Sequence, residues 1–149
     1  MHVSTRGRYA LRMLLDIAKE QGACVSLGEI AERQQISRKY LEQIAQQLTQ
    51  GGVLTALRGH QGGYRLAAAP SEYTVLRILE LMEGSLAPVS CLDDSAAGGC
   101  ERQAGCLTLP LWQGLDQTVR TYLGGITLQD VLDGRVGPLG LNTENGGAP

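Results

Sequence analysis

The chain has 149 residues, enough for one compact domain and an appendage but not for two full enzyme domains. Apolar residues make up 43% and aromatics only 4%, so the core must be built from Leu, Ile, Val and Ala. Net charge is −2, which argues against a wholesale polyanion binder, yet the charge is uneven. Residues 1–66 carry nine Lys/Arg against five Asp/Glu, and the remainder carries four against ten. A basic first half can meet an anionic partner while the second half does something else.

No apolar stretch follows Met1-His2-Val3-Ser4-Thr5-Arg6, so no secretory signal is read there. No run approaches the ~18–20 apolar residues of a membrane span. The expectation is a soluble cytoplasmic protein with no membrane partner. In that compartment Cys24, Cys91, Cys100 and Cys106 should stay reduced or bind something rather than form structural disulfides.

Residues 4–20 predict a helix capped by Ser4 or Thr5, with Tyr9, Met13, Leu14 and Ile17 inward and Arg8, Arg12, Asp16 and Glu20 as its polar stripe. Gly22 stops it. Ser26 with Glu29 fits a capping box opening a short helix to about Arg33. A break at Gln35-Ile36 follows, and Ser37 caps the next helix. There Leu41, Ile44, Ala45 and Leu48 form the buried face, leaving Arg38, Lys39, Glu42, Gln43, Gln46, Gln47 and Gln50 exposed. Gly51-Gly52 ends it. Residues 53–57 and 64–66 then predict two short strands joined by the glycine-rich connection Arg58-Gly59-His60-Gln61-Gly62-Gly63. Beyond Pro70, residues 74–83 predict a helix with Val75, Ile78, Leu79 and Met82 inward, closed by Gly84. Residues 84–107 have no period and hold three cysteines. Pro110 is expected as the first residue of a further helix, whose seam Trp112, Leu115, Val119, Tyr122 and Ile126, interrupted by Gly124-Gly125, suits pairing with a second copy. A last amphipathic turn, 128–132, precedes a tail expected to be disordered from Gly134.

A short helix, a tight turn and a second helix with a basic, glutamine-rich outer face are the parts of a helix-turn-helix. The second helix must be aliphatic inside and carry donors at its N-terminal outer positions to reach phosphates and base edges. Ser37, Arg38, Lys39 and Tyr40 occupy that first turn, with Gln43 one turn on. The hairpin would be a wing placing Arg58 and His60 at a groove edge. A solvated charged face, and a plain surface role for His60, are the alternatives; the order helix–helix–hairpin favours the DNA reading.

Ser-Thr-Arg-Gly-Arg-Tyr-Ala-Leu-Arg (4–12), Ile-Ala-Glu-Arg-Gln-Gln-Ile-Ser (30–37), Tyr-Leu-Glu-Gln-Ile (40–44) and Arg-Gly-His-Gln-Gly-Gly-Tyr-Arg-Leu (58–66) resemble the IscR/NsrR-type winged-helix regulators, as do the three cysteines before the long helix. The resemblance spans about Val3 to Asp133. It implies a mainly α fold with a small β wing: a winged helix-turn-helix domain (1–83), a cysteine-bearing cluster loop (84–107) and a long C-terminal dimerisation helix (108–133), before the tail (134–149). The function implied is that of a homodimeric bacterial transcription factor, often a repressor, whose affinity for double-stranded DNA is set by an iron–sulfur cluster. Some members of the family lack a cluster and act through protein partners, so an adapter of a metabolic enzyme is the alternative from another class.

Cys91, Cys100 and Cys106, spaced x8 and x5 among glycines, can wrap a cluster whose iron atoms need soft sulfur ligands. No close C-x2–4-C pair suggests structural zinc. A redox-active disulfide loop, or three unrelated thiols, are the other readings. Cys24 is expected to be a small buried hydrophobe. The resemblance leaves 2Fe–2S or 4Fe–4S open, and this chain departs from both family precedents for a fourth ligand. The histidine three residues past the last cysteine is Leu109 here, and the carboxylate of the first helix matches Arg8, which cannot ligate iron. Asp93, Asp94, Glu101, His2 of a second copy, or an exchangeable small thiol or water remain. An enzyme is not expected: no G-x-x-x-x-G-K-[ST], G-x-S-x-G or H-E-x-x-H motif occurs, and histidines number two.

Overall fold

The computed structural model describes residues 1–95 and 99–138. Helix α1 (Thr5–Ala18) starts where the Gly7 amide donates to the Ser4 hydroxyl (3.1 Å), satisfying one of the N–H groups a helix start leaves open. It buries Ala10, Met13, Leu14 and Ile17, with Tyr9 half-buried. The expected polar stripe breaks at Asp16, which is only 5% exposed. The next helix lies across that position, and the carboxylate accepts from Arg33 Nη2 (2.5 Å) and Gln34 Nε2 (2.7 Å), the donors a buried anion requires.

Helix α2 (Leu27–Gln34) opens with the expected capping box. The Glu29 amide donates to Ser26 Oγ (3.2 Å), and the Ser26 amide donates to Glu29 Oε2 (2.9 Å). Gln35 ends it in the left-handed region (φ 56°), Ile36 plunges into the core, and Ser37 caps helix α3 (Arg38–Gln50). Leu41, Ile44, Ala45 and Leu48 of α3 are 0% exposed. Burying each large aliphatic side chain is worth roughly 1.5–3 kcal/mol, which docks α3 firmly. Gln47, expected in solvent, is half-buried because its side chain turns under the C-terminal end of a later helix.

Strands β1 (Leu54–Leu57) and β2 (Gly63–Leu66) pair antiparallel, with Leu54 opposite Leu66 and Leu57 opposite Gly63. A third segment joins them. The Val25 amide donates to the Tyr64 carbonyl (2.9 Å) and the Tyr64 amide to the Val25 carbonyl (2.8 Å). Glycine is required at 63, where φ is 154° and a Cβ would strike the Val25 carbonyl.

Thr74 caps helix α4 (Val75–Glu83), which buries Val75, Ile78, Leu79 and Met82 as read. Two 3-10 turns, Ser90–Leu92 and Gln103–Gly105, punctuate the segment before helix α5 (Leu109–Gly124). Pro110 is the second residue of α5, not the first. Ile126 lies past the helix end and off its seam, its carbonyl accepting from the Val75 amide (2.8 Å). Thr127 and Asp130 box the start of helix α6 (Leu128–Leu132), and the Thr127 donors hold the Asp130 carboxyl down to about 2. Of the tail, residues 139–149 fall outside the described part. Within 134–138, Arg135 pairs with Asp130 and Asp133 (both 2.9 Å). The main core joins α1 to α4 with Val25, Val53, Tyr73 and Leu128, and a smaller cluster of Val75, Leu79 and Leu86 lies towards α5. No helix among the described residues is long and apolar enough to cross a membrane.

Candidate nucleic-acid interface and cysteine segment

The buried face of α3 leaves its first turn facing outward. The Tyr40 amide donates to Ser37 Oγ (3.3 Å), so the Ser37 hydroxyl spends one lone pair on capping and keeps its own proton to offer. Arg38, Lys39 and Gln43 are exposed. Arg38 makes one loose pair, with Glu42 at 3.5 Å. Two cations beside a helix N-terminus oppose the helix dipole, an arrangement that disfavours folding by about 0.3–1 kcal/mol per charge and suits an anion instead. Tyr40 is half-buried, its ring edge-on to Tyr9 with centroids 5.7 Å apart. That packing holds α3 against α1 and leaves less of Tyr40 to present than the sequence suggests.

Arg58 and His60 are exposed in the wing connection. They line, with Arg38 and Glu42, a groove of about 670 Å³ between the wing and the start of α3. Arg38, Arg58 and His60 therefore share one concavity, whereas Lys39 and Gln43 lie outside its lining. Arg12, which the sequence reading placed only in a polar stripe, stacks over Tyr9 (5.2 Å) and donates to Gln34 Oε1 (3.1 Å), bracing the turn between α2 and α3.

All four cysteines are free. Cys24 is half-buried in the connection between α1 and α2. Cys91 lies in the first 3-10 turn and is half-buried; Cys100 is exposed; Cys106 follows the second turn. Cys106 Sγ lies 3.4 Å from Thr108 Oγ1 at the entrance to α5, and the Thr108 hydroxyl and amide, with the Leu109 amide, lower its thiol pKa. Asp93 accepts from the Ser95 amide (2.9 Å) and hydroxyl (2.5 Å), which lower its carboxyl pKa. Asp94, Glu101 and His2 are exposed.

The donor set suits an iron–sulfur cluster chemically: three soft thiols on one surface segment, none locked in the core, one already biased towards thiolate. Convergence is another matter. Among the described residues, no group of three or more His, Cys, Asp or Glu side chains comes together to hold a metal ion.

No residue of α5 is fully buried within this chain, although Leu123 packs against the cluster of Val75, Leu79 and Leu86. Leu107, Leu111 and Leu115 are 96%, 62% and 38% exposed, and an apolar groove of about 420 Å³ runs between Val3, Leu79, Val119, Tyr122 and Leu123.

Residues 3–134 match the Rrf2 family model, described as an iron-dependent transcriptional regulator. The chain is 35% identical over 133 residues to the HTH-type transcriptional regulator IscR of Aliivibrio salmonicida, covering 89% of this chain and 77% of that one. Among solved structures it resembles CymR, the global cysteine regulator of B. subtilis, at 32% identity and a TM-score of 0.71, covering 89% and 97% of the two chains. It also resembles T. potens IscR at 32% identity and a TM-score of 0.69, covering 91% and 89%. Helices, wing and relatives agree: this chain belongs to the Rrf2 family of winged-helix transcriptional regulators and is not an enzyme.

Proposed function

We propose that the chain binds double-stranded operator DNA as a homodimer in the cytoplasm, most simply as a repressor, and that the cysteine segment 84–107 sets its affinity. The observation that carries this reading is the shared groove of Arg38, Arg58 and His60 beside an α3 whose opposite face is wholly buried. Arg38 and Lys39 address phosphates or guanine, Gln43 addresses adenine, Ser37 and Tyr40 shape the first turn, and Arg58 and His60 follow the duplex edge. The exposed Leu111 and Leu115 of α5 support self-association, which would set two recognition helices on a palindromic site. Sedimentation at micromolar concentration should give a dimer; a monomer there removes that part of the reading.

Cys91, Cys100 and Cys106 would hold an iron–sulfur cluster of the 2Fe–2S or 4Fe–4S type, with a non-cysteine fourth ligand. When bound, the cluster would supply a linkage sensitive to oxidant, nitric oxide or iron supply. Cys106, biased towards thiolate, is the ligand readiest to bind. Reconstitution with iron and sulfide without oxygen should give a visible chromophore, lost in Cys91→Ala, Cys100→Ala and Cys106→Ala but kept in Cys24→Ala. A second reading, thiol redox control, is favoured by the lowered Cys106 thiol pKa and by the likeness to a cysteine regulator. A colourless protein whose DNA affinity still responds to diamide would select it.

A further inference from the structure

Four consecutive residues at the end of α4 tie down three other helices. Glu80 Oε1 accepts from Arg120 Nη1 of α5 (2.5 Å). The Leu81 carbonyl accepts from Gln47 Nε2 of α3 (2.6 Å). The Met82 carbonyl accepts from Arg6 Nη2 of α1 (2.7 Å). Glu83 Oε1 accepts from the Ser4 amide (3.0 Å) and hydroxyl (2.7 Å) at the cap of α1.

The backbone carbonyls at this end belong to the set that any helix C-terminus leaves without an intrahelical donor. Here, side chains from α3 and α1 fill two of those places. Packing enforces the same closeness, since a Cβ on Gly51, just past α3, would strike the Leu81 side chain. The cysteine segment is fastened to this same helix at both ends. It begins at Gly84 (φ 81°), with Leu86 buried against Val75 and Leu79. It ends in α5, whose Arg120 grips Glu80. A change in the span or shape of the cysteine segment therefore loads the last turn of α4 from both sides.

We propose that Gln47 is the positioning residue through which that last turn sets the pose of α3, so that the state of the cysteine segment is read at the recognition helix. Gln47 need not touch DNA for this. Its amide fixes the C-terminal half of α3 while Arg38, Lys39 and Gln43 lie on the outer face at the other end. A small shift of the Leu81 carbonyl tilts that face relative to the wing, which is held independently by Val25. The inference rests on the proposal that the cysteine segment governs DNA affinity.

The test uses the full chain and a duplex selected by the wild type from a random-sequence pool. Affinity is measured for the reduced, the iron-and-sulfide-reconstituted and the diamide-oxidised protein, and the ratio of strongest to weakest binding is recorded. Gln47→Met keeps the stem and its packing but removes the donor. The expected result is a wild-type ratio in the ordinary allosteric range of about 5–150, falling to about 1 in Gln47→Met. Circular dichroism and the thermal midpoint of the variant should match the wild type. Gln43→Met, on the exposed face, should weaken binding in every state and leave the ratio unchanged.

A Gln47→Met ratio equal to that of the wild type overturns the role of Gln47 while leaving the regulatory reading intact. A wild-type ratio of 1 overturns both. Should Gln47→Met fail to fold, Arg120→Met, which releases α5 from Glu80, serves in its place. It must lower the ratio as well, and an unaltered ratio there also defeats the proposal.

Discussion

Residues 26–50 and 85–108 are nearly equal stretches of chain with opposite characters. In the first, Leu27, Ile30, Ile36, Leu41, Ile44 and Leu48 are all buried, and both helix starts are capped by serine. In the second, Leu86 is the one buried side chain among the described residues, and the backbone makes only two 3-10 turns. The helix-turn-helix is thus specified by its own hydrophobic period. The described residues of the cysteine segment form no core of their own, so its shape can follow whatever its thiols bind or bond to. Stability sits in the first region and responsiveness in the second.

The most direct way to break that contrast is by truncation. Ile44→Ala should cost about 2–5 kcal/mol, read as a lowered urea midpoint, because a fully enclosed side chain leaves a cavity. Leu92→Ala, half-buried in the cysteine segment, should cost under about 1 kcal/mol. Equal losses would mean that the segment has a core after all.

Asp16→Ala comes next, at about 1–3 kcal/mol, since it strips the acceptor from Arg33 and Gln34 just before the turn into α3. Because Gln34 also takes the Arg12 guanidinium, the same change should weaken DNA binding more than Lys19→Ala does. Equal DNA affinity in the two variants would confine Asp16 to a purely local role.

Arg38→Ala with Lys39→Ala sharpens the comparison from the other side. Stability should not fall: losing the exposed Arg38–Glu42 pair costs about 0.3–0.5 kcal/mol, and removing two charges that oppose the helix dipole returns about 0.3–1 kcal/mol each. Operator binding should fall, with the salt slope reduced by about 1 for each phosphate the variant no longer neutralises. An unaltered affinity would take the first turn of α3 out of the interface.

The smallest expected effect is on Cys106. Its thiol pKa is lowered by the Thr108 hydroxyl and amide, so the thiolate is more populated at a given pH than in an ordinary cysteine. Thr108→Val removes the hydroxyl and should move the alkylation midpoint of Cys106 to higher pH with no change in the unfolding midpoint. A midpoint that stays put would assign the shift to the backbone amides alone.

Where period and caps carry the information, the sequence is a sufficient guide. Ser4, Ser26–Glu29, Ser37 and the inward faces of α3 and α4 all stand where spacing puts them. Asp16 and Gln47 escape it because polarity alone reads as exposure. Each sits on the border of an apolar stripe, and only the neighbouring helix reveals a partner for it. Gln47, three residues beyond Ile44, carries a signal in that border position, but the Leu81 carbonyl it meets lies far along the chain. Ile126 keeps the heptad spacing, but the Gly124-Gly125 interruption legible in the sequence is where α5 ends, so Ile126 falls outside it. At the candidate site, the groove joining Arg38 to Arg58 and His60 depends on how the wing folds back, which no local pattern encodes.

The double hydrogen bond between Val25 and Tyr64 has a mechanical consequence for that groove. Val25 immediately precedes the cap of α2, so the wing is welded to the entrance of the helix-turn-helix and cannot swing by itself. Wing and α3 then act as the jaws of a caliper whose opening only the pose of α3 can change. On the proposed reading, a duplex has to come to that opening, narrowing or widening its own groove as its base steps allow. Part of the discrimination between operators would then fall on base pairs that no side chain reaches, ranked by how cheaply they deform.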